Sequence, residues 1–199
     1  MLTNLLARRR ARRVWRQATT LTHLAHLTAN WLDGTLPAHI TYGPNPDPET
    51  TGITRALAAV NRAGYLTTSS QPGHPPTVGH DGSVYEQRAA ITGHIADPTL
   101  LHHLVDTAER AGLTVITHTA DTSTGPDWMI ATRQDGQPTA AFGEHVTPVQ
   151  LRADWYGVSD QAHAAVAAAV QVTVVDPVWG RNDVLWPALT HLTAATATT

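Results

Sequence analysis

PETTGITRALAAVNRAGYLTTSSQPG, residues 48–73, reads as a helix turned directly into a strand. Asp47 carries the short carboxylate of an N-cap, and Pro48 suits the first helical position, where a missing N–H costs nothing. Ile53, Leu57 and Val60 recur at i, i+4 and i+7, one apolar helical stripe. Gly64 stops the helix in the left-handed conformation that glycine tolerates best. Tyr65 to Ser70 is β-compatible, and Pro72-Gly73 closes it with a turn. A helix from Pro48 to Ala63 is roughly 24 Å long at about 1.5 Å per residue. The strand covers about 20 Å at about 3.3 Å per residue. If the chain doubles back at Gly64, the strand's end returns to the helix's beginning. Glu49, Thr50, Thr67 and Ser70 then share one small volume. It offers hydroxyls and helix-terminal amides to an anion, and one carboxylate to a cation. A zwitterionic amino-acid group suits such a place. Capping and turn chemistry alone accounts for the same residues, and on pattern alone it is the preferred reading.

Outward from this stretch, helical and strand patterns alternate. Residues 5–32 read as helical, with Leu21, Leu24, Leu27, Trp31 and Leu32 on one face, and His39 to Tyr42 as a short strand in a loop. GHPPTVGHDG is a Pro/Gly loop of the kind that lines sites. Residues 84–94 fit a strand or a helix. Pro98 to Ala111 is a helix, LTVITH a strand, and WMIATRQDGQPTAAFG a hairpin turning at Asp135-Gly136. An alanine-rich helix from Ser159 to Val170, a buried strand VQVTVVD and a last helix from Asp183 to Leu192 complete the chain. The predicted class is mixed α/β (α+β), a mixed sheet flanked by helices. Residues 1–33 form an Arg-rich helical arm, 34–192 the main domain and 193–199 a frayed tail.

With 199 residues and 42% apolar content the chain can bury a proper core. It has no cysteine, which excludes disulfides, zinc-thiolate sites and cysteine nucleophiles. No window approaches a membrane span of about 20 apolar residues, and MLTNLLARRRARRVWR lacks the apolar stretch of a signal peptide. The expectation is a cytoplasmic protein without membrane contact. Charge is unevenly placed: six of the 13 basic residues, all arginine, lie in the first 16 positions with no acid among them. The remainder has seven basic and 16 acidic residues, 7 − 16 = −9. Such an arm suits nucleic acid, anionic lipid or an acidic partner, or it folds against the acidic body or a second subunit. The body shows no basic stripe and no nucleic-acid motif, so any such contact is confined to residues 1–16.

Five stretches of the sequence resemble a known family. Glu49-Thr50 followed by VNRAGYLTTSSQP is similar to the ET…VNR.GILTINSQP run in the C-terminal regulatory domain of eukaryotic methylenetetrahydrofolate reductase, at the same spacing. Pro76 to Gly79 resembles that family's P.VGWG loop, with His80 in place of its aromatic, and Gln87-Arg88-Ala89 resembles its QKA. Leu113 to His118 resembles LRVNYH, and VTVVDPVWGRNDVLW resembles VNLVDNDFPLDNCLW, sharing Val172, Val175, Asp176, Leu185 and Trp186. The likeness runs over about residues 49–190 in one order. The chain is also similar to a family of stand-alone bacterial proteins of this size with SQPG and GRNDVLWPAL signatures.

The resemblance implies the regulatory domain's fold and its ligand, S-adenosylmethionine or S-adenosylhomocysteine. It implies ligand contacts at Glu49, Thr50, Thr67, Ser70 and Thr132. The reductase's catalytic barrel has no room in this chain, so flavin is not expected and the resemblance points to a non-catalytic sensor. Its output would pass through a homodimer or another protein partner. An enzyme consuming S-adenosylmethionine, or an interaction module with a vestigial pocket and a basic arm, are the alternatives. The 12 histidines form no recognised catalytic or metal motif, and no metal is expected. Asp176, Asn182 and Asp183 suit a polar catalytic cluster, or else a strand end and the cap of the last helix, with Trp179 and Trp186 in the core.

Overall fold

A computed structural model describes residues 2–196. Two helices open the chain, α1 (Leu2–Gln17) and α2 (Leu21–Leu32), rather than one. The break falls where the Thr20 hydroxyl accepts from His23 N and starts a new helix. A six-residue 3-10 helix, Pro48–Ile53, then leads into α3 (Thr54–Arg62). Later come α4 (Pro98–Arg110), α5 (Pro148–Asp154), α6 (Asp160–Ala167) and α7 (Leu185–Thr196). The expectation of a frayed tail from residue 193 gives way to helix as far as Thr196; residues 197–199 lie outside the described residues.

The strands are β1 (Leu66–Gln71), β2 (His74–Val78), β3 (Val84–Gln87), β4 (Ala90–Ile95), β5 (Thr114–His118), β6 (Ser123–Thr124), β7 (Met129–Gln134), β8 (Gln137–Phe142) and β9 (Val170–Val175). They form a five-stranded sheet in the order β1-β4-β9-β5-β6 and a four-stranded sheet in the order β2-β3-β7-β8. The mixed α/β class is as expected. The single mixed sheet is not: there are two sheets, and every pairing is antiparallel. The segment 84–94 that fitted strand or helix is two strands, one in each sheet. GHPPTVGHDG is the exposed edge strand β2 and its turn, not a site-lining loop. Prolines 75 and 76 are tolerated there because an edge strand leaves amides unpaired.

Under α3, α4 and α7 the large sheet buries Ile91, Val172 and Val174 against Leu57, Val60, Leu100, Leu104 and Leu189. A second core joins Trp15, Leu21, Leu24 and Leu27 to Leu66, Leu151, Trp155 and Val166. Residues 11–32 are therefore part of the body's packing and not an arm appended to it. Where the sheets meet, Ala90 and Val175 pack on Ala131 and Phe142.

Several polar ties lock the last helix to the sheets. Asp176, fully buried at the end of β9, accepts two hydrogen bonds of 2.7 Å from the Arg181 guanidinium. Asn182 Oδ1 accepts from Gly73 N and Trp186 Nε1, both at 2.8 Å, so Asn182 joins a turn to a helix instead of capping one. A side chain on Gly73 would sit 2.0 Å from the Arg181 carbonyl oxygen, which is why this close approach takes glycine. Trp179 is half-buried between the guanidiniums of Arg88 and Arg133, each 4.2 Å from its ring centroid, rather than in the apolar core.

Candidate functional site

A cleft of about 430 Å³ opens beside β1, between α2, the loop around Tyr42–Asp47 and the 3-10 helix. Its base is set by one irregularity. In a regular strand Thr67 and Ser70, three apart, face opposite ways. Here the register slips between Thr67 and Ser69, leaving Thr68 as the extra residue of a bulge. Thr67 then pairs with Gly93 and Ser70 with Ile91, positions two apart on β4, so the two hydroxyls share a face. Gly93 makes the bulge possible, since an added Cβ would lie 2.2 Å from the Leu66 carbonyl oxygen.

Asn61, wholly buried on α3, fixes what Thr67 offers. Its amide nitrogen donates to Leu57 O at 2.8 Å and to Thr67 Oγ1 at 2.7 Å, and its oxygen accepts from Thr67 N at 3.1 Å. A carbonyl only accepts and a backbone N–H only donates, so the amide has one orientation. The Thr67 oxygen is thereby an acceptor from Asn61, and its own hydrogen is left to donate. The Ser70 hydroxyl makes no protein hydrogen bond among the described residues, the backbone there pairing with β4.

Across the cleft the polarity is reversed. The Thr50 hydroxyl donates to the Asp47 carbonyl at 2.7 Å, which leaves its lone pairs outward. Asp47 caps the turn with one carboxylate oxygen, 3.0 Å from Glu49 N. That capping takes up the Glu49 amide, and the Thr50 amide bonds the Asp47 carbonyl at 3.0 Å. The helix-terminal amides expected to meet an anion are thus occupied. Donors from β1 face acceptors from residues 47–50.

The remaining wall is aromatic. Trp31 and Tyr42 line the cleft with ring centroids 5.9 Å apart. Behind them His39 is buried against Trp15, Trp31, Tyr42 and Trp155, at 4.5–5.6 Å between centroids. His39 Nδ1 accepts from the amides of Thr41 and Tyr42, which puts its proton on Nε2, a buried atom without an acceptor. Burial lowers its pKa from 6.5 to about 3, so the ring is neutral. The Tyr42 hydroxyl donates to the Thr68 carbonyl, and burial with the nearby Asp154 charge raises its pKa to about 12.

Of the five sequence-predicted residues, Thr50, Thr67 and Ser70 line this cleft. Glu49 is exposed and is not among the lining residues, although both its neighbours are. Thr132 stands on β7 of the other sheet, where its hydroxyl donates to Gln71 Oε1 at 3.1 Å. Sequence reasoning missed Asp47 as a lining carboxylate, Tyr42 and Trp31 as the aromatic wall, and Asn61 as the clamp. The Tyr-Gly-Pro-Asn-Pro run was the available signal, being a loop dense in turn residues beside an aromatic. Among the described residues no three His, Asp or Glu side chains are placed to hold a metal ion, and no helix is long and apolar enough to cross a membrane.

No curated protein matches the sequence. Over residues 10–196 it matches the family described as a domain of unknown function, DUF6919, and the chain belongs to that family.

Proposed function

We propose that the protein is a non-catalytic binding or sensor protein for S-adenosylmethionine or S-adenosylhomocysteine, related to the regulatory domain of methylenetetrahydrofolate reductase. The observation that carries this reading is the convergence of Thr50, Thr67 and Ser70 on one cleft of about 430 Å³. That volume falls within the usual range of ligand pockets, about 300–1,000 Å³. Donors at Thr67 and Ser70 suit the ligand's carboxylate, acceptors at Thr50 and Asp47 suit its ammonium, and the Trp31 and Tyr42 rings suit adenine. Asp47 takes the cation-binding role first assigned to Glu49, and Thr132 has no part in it. The reading carries a cytoplasmic location and an output through a second copy or another protein.

Calorimetric titration with each ligand tests it, on the wild type and on Thr67→Val/Ser70→Ala. Micromolar binding, about −8 kcal/mol, that falls at least tenfold in the double variant supports the reading. No heat with either ligand overturns it. Chromatography of S-adenosylmethionine after incubation separates binding from turnover: intact ligand fits a sensor, and a product makes the protein an enzyme.

A further inference from the structure

Helix α1 carries two faces. Ala11, Trp15 and, just past its end, Ala18 are buried in the core. Arg9, Arg12, Arg13 and Arg16, at i, i+3, i+4 and i+7, form one exposed stripe on its far side. Five of the seven arginines outside the arm pair with an Asp or Glu. The four of the stripe pair with none among the described residues. They are held about 10 Å from first to last along the axis, on a helix whose position is fixed by Trp15 and by the Ala18 carbonyl, which accepts from the Ser159 hydroxyl at 2.5 Å.

We infer that the exposed face of α1 binds the phosphate backbone of duplex DNA. Charge complementarity supports this: the stripe is purely cationic, while residues 17–199 carry −9 and repel a polyanion elsewhere. A membrane surface fits less well. An interfacial helix inserts its apolar face among lipids, and here Trp15 and its neighbours are already buried in the protein. Unpaired strands fit less well too, because no aromatic side chain stands among the exposed arginines to stack on bases. Arginine suits phosphate oxygens through its two-pronged geometry. The contact is with the backbone and reads no sequence.

The test is fluorescence anisotropy of a labelled 20-base-pair DNA duplex with the full chain, from 50 to 200 mM NaCl. Four phosphate contacts give a slope of log K against log salt of about −3.6, roughly a 100-fold loss of affinity across that range. Arg9→Gln/Arg12→Gln/Arg13→Gln/Arg16→Gln, checked for an unchanged circular dichroism spectrum and melting temperature, is expected to flatten the slope and abolish most binding. Several results overturn the proposal: no duplex binding at 50 mM salt, the same slope in the quadruple variant, or tighter binding to a single strand of the same length. Binding to phosphatidylserine vesicles without binding to the duplex overturns it as well and makes the stripe a lipid contact.

Discussion

Lowering the pH from 7.5 to 5 is expected to destabilise the fold by about 4 kcal/mol, through two buried histidines. Burial lowers His39 from 6.5 to about 3, and burial together with the charge of His145 lowers His94 to about 4. In the unfolded chain both titrate near 6.5. Between these values the unfolded state binds more protons than the folded one, so the full stability is present above pH 6.5 and is lost as the pH falls. His94's share of the loss is complete near pH 4 and that of His39 near pH 3. Each group contributes about 1.4 kcal/mol per pH unit, hence about 2 kcal/mol apiece at pH 5. Against a total stability of about 5–15 kcal/mol this is a large change. Urea denaturation at pH 7.5, 6.5, 5.75 and 5 measures it above the range where ordinary carboxylates titrate. His163, also lowered by burial, adds in the same direction. His39→Asn keeps an acceptor near the Thr41 and Tyr42 amides and removes one titration, so the slope drops by about 1.4 kcal/mol per pH unit. A wild-type stability that is flat from pH 6.5 to 5 refutes the reasoning, and so does an undiminished slope in the variant.

Asn61→Asp removes the donor to Thr67 and turns that hydroxyl inward to the new carboxylate; affinity for S-adenosylhomocysteine should fall about tenfold, while adenosine, which lacks the carboxylate, is unaffected. Calorimetry on both ligands checks this, and equal losses for the two count against the assigned polarity. Arg181→Met strands the buried Asp176 carboxylate and is expected to cost about 3 kcal/mol in urea unfolding, with part of the loss recovered in Asp176→Asn/Arg181→Met. Gly93→Ala drives a methyl onto the Leu66 carbonyl and breaks the bulge. Hydrogen exchange in Leu66–Ser70 should rise by at least an order of magnitude, and an unchanged profile excludes that role for Gly93.

The helix-to-strand reading of residues 48–73 was legible because the chemistry is local: Asp47 and Pro48 start the turn, and Gly64 ends α3. The same holds for the hairpin, where Asp135 and Gly136 both adopt positive φ. What the sequence hid was non-local. Ile53, Leu57 and Val60 fall on one stripe whether the first turn is α or 3-10, so periodicity missed the tighter turn before Thr54. Thr-Thr-Ser-Ser alternates with nothing, and only pairing with β4 reveals the bulge that turns Thr67 and Ser70 to one side. Tyr42 and Trp31 stack on each other with His39 packed against both, contacts that no spacing rule anticipates. Thr132 was assigned by motif, and its strand belongs to the second sheet, whose existence the pattern of strands did not disclose.

β9 lies in the middle of the five-stranded sheet, yet among the described residues it is the last strand in chain order. Until Val170–Val175 has left the ribosome, β4 and β5 have no strand between them, and Asp176, Arg181 and Asn182 have not yet emerged to tie the layers together. The nascent chain therefore carries two unfinished halves with open edges, and the sheet closes only once Val170–Val175 has been made. A product cut short before Val170 lacks its centre and not merely its end.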